Sequence, residues 1–419
     1  MSILDVKELC SSYVNNLETY IMFQIKQETV RLTPELTAKG RAPIALSMGA
    51  PVQNPPEFVI EALKKATAEA GIHSYSTPKG EVFFLEAVSR RMKKRFGVDV
   101  CPKTEIFSLI GSKEGLSNMF KTIINPKYED KEKDIILIPN PGYASYVDQI
   151  KVAGGYPYGM ELKPEDNYMP ELNKVWEKIE KDGFDTKKVK ALVINYPNNP
   201  LGFGATREYL QKVVDFCCEK KILLISDAAY ADMYFDENDR PTSILEFKGA
   251  KDVAVEFHSF SKPYAMTGWR LGWVCGNKDF VGAIGRYKST VDTGIYKALQ
   301  KAGASILDSK EGDEYIVESN KGFKIKQKII LDGFKELGWD IDNLQIPNST
   351  FYLWLPIPPK YTCAKDFAQD LLNKSGVVVV PGEAFGTNCE KFIRLSYVAS
   401  DDSLREVIRR MKEDGFTFN

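Results

Sequence analysis

The stretch from Ser259 to Gly272 holds the residues with the clearest capacity for chemistry in this chain. Ser259, Ser261, Lys262 and Arg270 lie close together within it. A phosphate group needs several hydrogen-bond donors and one or two cations. A lysine that forms a Schiff base must be able to lose its proton, and neighbouring positive charges lower its pKa. The stretch therefore indicates a phosphate-bearing ligand beside a reactive lysine. The alternative is a polar loop with an ordinary surface lysine.

A second candidate is the acid that ends an apolar, strand-like run. Asp227 follows Ile222–Ser226, and Tyr230 comes shortly after it. In open α/β sheets, ligands bind beyond the carboxyl ends of the strands. A carboxylate in that place can pair with a protonated ring nitrogen, so that the ring stays able to withdraw electrons. The alternative is that Asp227 only caps the helix that follows.

Two turns lie next to further apolar runs. The first is Asn195-Tyr196-Pro197-Asn198-Asn199-Pro200-Leu201-Gly202, and the second is Gly111-Ser112-Lys113-Glu114-Gly115, which leads into a helix-like segment. The free N–H groups at a helix start, when its residues are small, suit a phosphate. Ordinary turns remain the alternative for both, because Asn, Pro and Gly dominate turns.

Several other kinds of site find no support in the sequence. There is no Walker A pattern, and Gly202-Phe203-Gly204 lacks the third glycine of a dinucleotide fingerprint. The two histidines, His73 and His258, stand far apart without a metal-binding pattern, so we expect no metal site. No G-x-S-x-G turn marks a serine hydrolase.

Composition and charge bound the class of protein. The 419 residues, with 43% hydrophobic and 27% charged, predict a globular protein with one large and one smaller domain. A net charge of −1 favours neither nucleic acid nor a membrane surface as partner. Met1–Val6 has no secretory pattern, and the seven cysteines contain no C-x-x-C pair, so we expect reduced thiols and a cytoplasmic location.

The middle of the chain alternates short apolar runs with helix-like segments, which is typical of an α/β fold with a parallel sheet. The helices include Lys113–Ile124 and Thr206–Lys220, with Thr206 as N-cap. The predicted strands are Ile106–Ile110, Ile135–Pro139, Ala191–Asn195, Ile222–Asp227, Ala254–Phe260 and Leu271–Gly276.

The last hundred or so residues predict a smaller α+β domain. Its elements are a helix from about Glu318 to Leu337, strands at Phe351–Leu355, Val377–Val380 and Phe392–Tyr397, and helices near Lys365–Asn373 and Ser403–Asp414. We therefore divide the chain into an N-terminal segment (1–48) that packs with the small domain, a large domain (49–310) and the small domain (311–419).

Taken in order, these segments resemble the fold-type I aminotransferases related to aspartate aminotransferase, from about Leu46 to Tyr397. The resemblance implies pyridoxal 5′-phosphate (PLP) as cofactor, a mainly parallel seven-stranded sheet in the large domain, and a homodimer with shared active sites. Lys262 then matches the Schiff-base lysine that also moves the substrate proton. Ser259, Ser261 and Arg270 match phosphate ligands, together with the Ser112–Lys113 backbone.

Other positions match the family's cofactor-ring contacts. Asp227 is similar to the acid that pairs with the pyridinium nitrogen. Asn199 and Tyr230 match the two partners of the phenolic oxygen, and Asn199 is also expected to border the substrate. Here the family's usual Asn-Pro-Thr-Gly reads Asn-Pro-Leu-Gly, which alters the turn and not the Asn199 side chain. Tyr143 matches the aromatic residue stacked on the ring.

The remaining matches concern substrate and partner subunit. Arg394, in Phe392-Ile393-Arg394-Leu395-Ser396, resembles the arginine that binds the substrate α-carboxylate, and a planar guanidinium suits that bidentate contact. Gly49 resembles the glycine that lets the backbone approach the substrate. Tyr75 looks like the tyrosine that reaches a phosphate across a dimer interface. Ordinary loop residues remain the alternative for Gly49 and Tyr75.

The resemblance implies a ping-pong aminotransferase that acts on small amino acids and 2-oxo acids. The strings Gly111–Gly115 and Lys288–Ile295 look most like LL-diaminopimelate aminotransferases of lysine biosynthesis. We therefore favour LL-2,6-diaminopimelate and 2-oxoglutarate as substrates. The alternatives are an aspartate or other amino-acid aminotransferase, a PLP lyase or synthase of the same fold, and a non-catalytic regulator.

Overall fold

The computed structural model describes residues 6–17 and 19–418. Residues 1–5, where the predicted N-terminal segment begins, lie outside the described residues. The strands are, in chain order, β1 Ile44–Ala45, β2 Ile106–Leu109, β3 Ile135–Asn140, β4 Tyr156–Glu161, β5 Val189–Ile194, β6 Leu223–Asp227, β7 Ala254–Ser259, β8 Gly272–Gly276, β9 Tyr352–Pro356, β10 Val377–Val378, β11 Val380–Pro381 and β12 Phe392–Ser396.

The α-helices connect and cover these strands. They are, in chain order, α1 Val6–Leu9, α2 Ser12–Asn15, α3 Ile21–Ala38, α4 Glu57–Thr67, α5 Val82–Phe96, α6 Ser112–Ile123, α7 Ser145–Val152, α8 Leu172–Lys181, α9 Arg207–Lys220, α10 Ala250–Val253, α11 Lys278–Lys288, α12 Lys297–Asp308, α13 Lys310–Glu336, α14 Ala364–Ser375 and α15 Asp401–Glu413. Thr206 caps α9 as predicted, since its side chain accepts a hydrogen bond from the Tyr209 N–H.

The central sheet has seven strands in the order β2-β8-β7-β6-β5-β3-β4. The strands run parallel except β8, which is antiparallel to both β2 and β7. The predicted, mainly parallel sheet of an α/β fold is therefore confirmed. Parallel pairing of β6 with β7 sets Asp227 opposite Phe257, so that the ends of both strands lie at one edge of the sheet.

Strand β4 is one that the sequence analysis missed. It pairs with β3 at the edge of the sheet, and its sequence contains Pro157 and Gly159. Proline cannot donate to a neighbouring strand and is tolerated mainly at sheet edges, while glycine weakens any strand pattern. The edge position therefore explains why the strand tolerates Pro157 and Gly159. The same two residues explain why the sequence did not predict a strand here.

Both faces of the sheet are buried. Along β3, Ile135 and Leu137 belong to the core on one face, and Ile136 and Ile138 belong to the core on the other. Side chains alternate between faces along a strand, so helices on both sides require an uninterrupted apolar run. The predicted strand Ile135–Pro139 was recognisable for this reason.

A second body, here called the C-terminal lobe, consists of the antiparallel sheet β11-β12-β9 with α13, α14 and α15. Its helix α13 begins at Lys310, earlier than the predicted Glu318, because Ser309 caps it by accepting from the Gly312 N–H. The single strand predicted at Val377–Val380 is two short strands, β10 and β11. They pair with β1 and β12, respectively.

The described N-terminal residues pack against this lobe. Leu32 and Leu36 of α3 form one cluster with Leu372 and Val378, and β1 pairs with β10. The described part of the N-terminal segment thus contacts this lobe, while the division of the chain into an N-terminal segment, a large domain and a small domain stays a prediction.

A buried set of ion pairs links helix α5 to the loop after β6. Arg91 and Arg95 contact the two oxygens of Asp232 at 3.0 Å and 2.9 Å, and Arg91 also contacts Asp313 of α13 at 2.6 Å. Burial opposes the charge of Asp232, but Arg91 and then Arg95 outweigh it and hold the pKa of that carboxyl well below its usual range. The network therefore ties the loop that carries Tyr230 to helix α5 and, through Arg91, to helix α13 of the C-terminal lobe.

Replacing Asp232 with asparagine should lower the free energy of unfolding by about 3 kcal/mol, because two buried guanidinium groups lose their carboxylate. Urea denaturation of the purified variant and parent measures this. The matched control is Asp308→Asn, since its ion pair with Arg90 is solvent-exposed. That change should cost less than about 1 kcal/mol. Equal losses in both variants would contradict a special role for the buried pair.

Candidate active site

A cavity of about 350 Å³ opens at the carboxyl edge of the central sheet, between it and the C-terminal lobe. This volume lies within the range of small-molecule pockets, about 300–1,000 Å³. The structure brings together the following predicted site residues in its lining: Gly49, Ser112, Lys113, Tyr143, Asn199, Asp227, Tyr230, Ser259, Ser261, Lys262, Arg270 and Arg394.

Tyr75 is the predicted site residue that the structure does not bring to the cavity. Its side chain is 86% exposed, and it is absent from the lining. We predicted that it acts in a neighbouring subunit, so its position in a single chain leaves that role a prediction.

Lys262 lies just beyond the end of β7, inside the cavity. Its Nζ donates a hydrogen bond to the backbone oxygen of Gly49. Burial lowers the pKa of Lys262 to about 8, and Arg394 and Arg270 add to the decrease while Asp227 opposes it. A substantial fraction of this amine is therefore neutral at mildly alkaline pH, which is the form that acts as a nucleophile.

Asp227 ends β6 at the bottom of the cavity. The Tyr146 hydroxyl donates to its Oδ2 at 2.6 Å, whereas Oδ1 is buried without a hydrogen-bond partner among the described residues. Burial raises the pKa of Asp227, while the hydrogen bond from Tyr146, the Ala229 N–H and the charge of Lys262 act against this. An unpaired buried oxygen is costly, so Oδ1 is suited to receive a proton donor from a ligand.

The start of helix α6 and the segment after β7 form a cationic corner. Gly111 precedes the helix at φ +99°, and a Cβ there would lie 2.5 Å from Arg270 Nη2. Arg270 is held in place because its Nη1 donates to the Thr267 backbone oxygen at 2.8 Å. The Ser259 hydroxyl accepts from the Ser261 N–H at 3.1 Å. A helix N-terminus beside an arginine and serine hydroxyls is a suitable place for a phosphate.

Arg394 extends from β12 of the C-terminal lobe into the cavity. Its Nη1 donates to Asn199 Oδ1 at 3.0 Å and its Nη2 donates to the Ser47 backbone oxygen at 2.8 Å. The guanidinium carbon lies 4.5 Å from the ring centre of Tyr352 and 4.8 Å from that of Phe385. Two aromatic rings thus hold the guanidinium by cation–π contacts, in a place where it can bind a carboxylate.

Gly49 lies against this arginine. A Cβ at Gly49 would come to 3.0 Å from the Tyr352 hydroxyl and 3.8 Å from Arg394 Nη1. The absence of a side chain keeps the space in front of the guanidinium open, as expected for a backbone that approaches a ligand.

Sequence reasoning missed several residues of the site. Tyr146 lies one helical turn beyond Tyr143, and the rings meet edge to face at 5.4 Å. The Tyr352 hydroxyl lies 2.9 Å from that of Tyr230. Tyr352 falls within the predicted strand Phe351–Leu355. Its aromatic neighbours are typical of a core strand, so the contact of its hydroxyl with Tyr230 was not predicted. Further lining residues outside the prediction are Tyr20, Ile21, Met22, Ala384 and Phe385.

The Lys288–Ile295 string does not line the cavity. Lys288 is fully buried and contacts Glu114 at 2.9 Å and Asp292 at 2.5 Å. It therefore braces the first turn of α6, while Val291 of the same string is 53% exposed.

Across residues 6–17 and 19–418, no cluster of metal-ligating side chains is found. In the same part of the chain, no helix is long and apolar enough to cross a membrane.

The whole chain can be compared with known proteins. The family model "Aminotransferase class I and II" matches residues 41–411. The chain is 38% identical over 390 residues to the LL-diaminopimelate aminotransferase of Syntrophobacter fumaroxidans, covering 93% of this chain and 96% of the relative. It is also 38% identical over 393 residues to LL-diaminopimelate aminotransferase 2 of Trichormus variabilis, covering 94% and 96%.

Solved structures agree with this assignment. A substrate-bound structure of BacF from Bacillus subtilis superposes with a TM-score of 0.89 at 31% identity, covering 98% of both chains. The aspartate aminotransferase of Thermus thermophilus with maleate superposes with a TM-score of 0.85 at 27% identity, covering 97% of this chain and 99% of the other. This chain therefore belongs to the class I and II aminotransferases.

Proposed function

We propose that this aminotransferase uses PLP to exchange an amino group between LL-2,6-diaminopimelate and 2-oxoglutarate by a ping-pong mechanism. The observation that carries the proposal is the similarity, over nearly the whole chain, to relatives named LL-diaminopimelate aminotransferase. The cavity supports it, because a buried lysine, a buried carboxylate and two arginines converge there.

The cavity residues fit PLP. Asp227 Oδ1 lacks a partner among the described residues and would pair with a protonated ring nitrogen. The α6 start, Ser259, Ser261 and Arg270 would hold the phosphate, and Tyr143 would pack on the ring. When bound, PLP supplies an electron-withdrawing ring that makes the substrate Cα–H acidic.

Lys262 has two proposed tasks, which are to hold the cofactor covalently and then to move the proton at the substrate Cα. Its pKa of about 8 suits both, since a base near the working pH can accept and return a proton. Asp227 would keep a proton on the ring nitrogen of bound PLP by offering its unpaired Oδ1 to that proton.

Asn199 and Tyr230 are proposed to flank the phenolic oxygen of the cofactor. Asn199 Oδ1 already accepts from Arg394, so its amide nitrogen is the group left to donate. Arg394 would bind the substrate α-carboxylate, which orients the Cα–H toward Lys262. Asn199 would thus contact both the cofactor and the arginine that binds the substrate.

A homodimer in the cytoplasm completes the proposal. Tyr75, Val291 and Tyr296 are exposed apolar residues. Their segments contact each other, because the Tyr296 hydroxyl lies 3.2 Å from His73 Nδ1. Exposed aromatic and aliphatic side chains on neighbouring segments support an interface with a second copy. The seven free cysteines support a reducing compartment.

Borohydride reduction of the enzyme with PLP, followed by peptide mapping, should place the label on Lys262. Lys262→Ala should still bind PLP but lose nearly all turnover, because both the covalent link and the proton transfer are removed. Lys113 is the internal comparison, since it also lines the cavity. A label on Lys113 would overturn the assignment.

Arg394→Lys should raise the KM of both the amino donor and 2-oxoglutarate by at least about tenfold, because a point charge replaces a bidentate group. Steady-state kinetics in both directions measure this. Impairment of one substrate alone would point to contact with a side chain and not with the α-carboxylate.

The substrate is tested by comparing kcat/KM for LL-2,6-diaminopimelate and L-aspartate, each with 2-oxoglutarate. Diaminopimelate should be preferred by at least about tenfold, because a site that pairs its distal ammonium penalises a donor without one. Similarity to an aspartate aminotransferase favours aspartate as the second candidate. Good turnover of aspartate with none of diaminopimelate would select that candidate.

A further inference from the structure

A buried lysine outside the cavity has no part in the proposed chemistry. Lys288 is the last residue of α11, and its side chain is fully buried. Its Nζ contacts Glu114 Oε1 at 2.9 Å and Asp292 Oδ2 at 2.5 Å. An ammonium group is seldom buried unless it is paired, and its removal from water is costly. The position of Lys288 therefore calls for a reason beyond packing.

The carboxylate that Lys288 holds belongs to the first turn of α6. Glu114 is the third residue of that helix, which begins at Ser112. Its Oε2 accepts a hydrogen bond from the Ile110 N–H at 3.2 Å, and the Asn118 side-chain amide donates to Oε1. A glutamate is favoured at this position, because it can satisfy an N–H group close to the helix start. Glu114 therefore fixes the turn that leads from β2 into α6.

This turn is the part of the cavity that is proposed to hold the cofactor phosphate. The N–H groups at a helix start attract an anion, and Ser112, Lys113 and Arg270 line the cavity there. Glu114 follows directly after Lys113, so its negative charge would lie close to that of the phosphate, and like charges repel. Lys113 and Arg270 line the cavity itself, whereas Lys288 contacts Glu114 without lining the cavity. A cation that offsets Glu114 in this way favours a bound phosphate.

We propose that Lys288 is a positioning residue for the cofactor phosphate, because it offsets the charge of Glu114 and holds that side chain against the phosphate-binding turn. The proposal rests on the proposed use of PLP and adds a residue that does not touch the cofactor. The helix ends favour this pairing, since the C-terminal end of α11 attracts a cation and the N-terminal end of α6 attracts an anion. Helices α11 and α6 pack against each other, which keeps the two ends together.

The test measures cofactor binding in the absence of a covalent bond. Pyridoxamine 5′-phosphate and pyridoxamine differ by the phosphate alone, and neither has an aldehyde that Lys262 could attack. Calorimetry on the apoenzyme gives the Kd of each, and the ratio of the two values is the phosphate preference. Lys288→Met should lower this preference at least about tenfold, because Glu114 is left without its cation. General damage to the fold would weaken both ligands equally and leave the preference unchanged.

A second variant and a rescue separate charge from packing. Lys288→Gln keeps a donor for Glu114 but removes the charge, so it should show a similar loss, and it replaces Lys288→Met if that variant does not fold. Glu114→Gln can still accept from the Ile110 N–H. Adding it to Lys288→Met should therefore return the preference to within about threefold of the parent. A loss that persists in the double variant overturns the role of charge.

The matched control is a lysine–glutamate pair at the other end of β2. Lys251 Nζ lies 3.1 Å from Oε2 of Glu105, the residue before that strand, and neither residue lines the cavity. Lys251→Met should leave the phosphate preference unchanged. A loss equal to that of Lys288→Met would overturn the proposal, because the effect would then not depend on the contact with α6.

The outcomes separate this proposal from the proposed function. A parent enzyme that binds pyridoxamine 5′-phosphate no more tightly than pyridoxamine overturns the phosphate site, and with it both the use of PLP and this proposal. A clear preference in the parent that neither Lys288 variant reduces overturns the role of Lys288 alone. A preference that falls in Lys288→Met, returns on addition of Glu114→Gln and stays unchanged in Lys251→Met supports the proposal.

Discussion

The removal of water from one lysine and one carboxylate is the constraint on which this site depends. Burial disfavours both charges, so it lowers the pKa of Lys262 and raises that of Asp227. The neighbouring groups then act selectively. Arg394 further disfavours the ammonium form of Lys262, whereas Tyr146 favours the carboxylate form of Asp227. The neutral amine is thus favoured at Lys262, while Tyr146 offsets part of the effect of burial on the pKa of Asp227.

The scaffold supplies this environment because several of its elements meet at one edge of the central sheet. Parallel strands β6 and β7 end side by side, and the segment after each carries one of the two groups. The C-terminal lobe closes the cavity with Arg394 and Tyr352. The buried contact of Asp232 with Arg91 and Arg95 fixes the loop just after Tyr230, and Asp313 ties the same network to α13. The geometry at the ligand therefore depends on charge pairing outside the cavity.

The sequence allowed the central sheet and most of the site to be predicted for physical reasons that can be stated. Strands buried on both faces are continuous apolar runs, so they were predictable. Polar residues that follow the ends of such runs, as Asp227 and Lys262 do, were therefore recognisable as site residues. Strand β4 was not predicted, because an edge strand tolerates proline and glycine. Tyr352 and Met22 reach the cavity only through packing between segments far apart in the chain, which no local pattern reveals. Tyr75 is predicted to act across a dimer interface, and this role stays a prediction.

The hydrogen bond between Arg394 and Asn199 has a consequence for how a substrate enters. The guanidinium is not a bare charge awaiting a ligand, since an amide oxygen and a backbone oxygen already occupy two of its donors. Three of its five N–H donors stay available, among them that of Nε, which has no partner among the described residues. Under the proposed function, a carboxylate can therefore bind without displacing Asn199. The anion site would thus be pre-formed, because Asn199 and Ser47 orient the guanidinium before a substrate arrives.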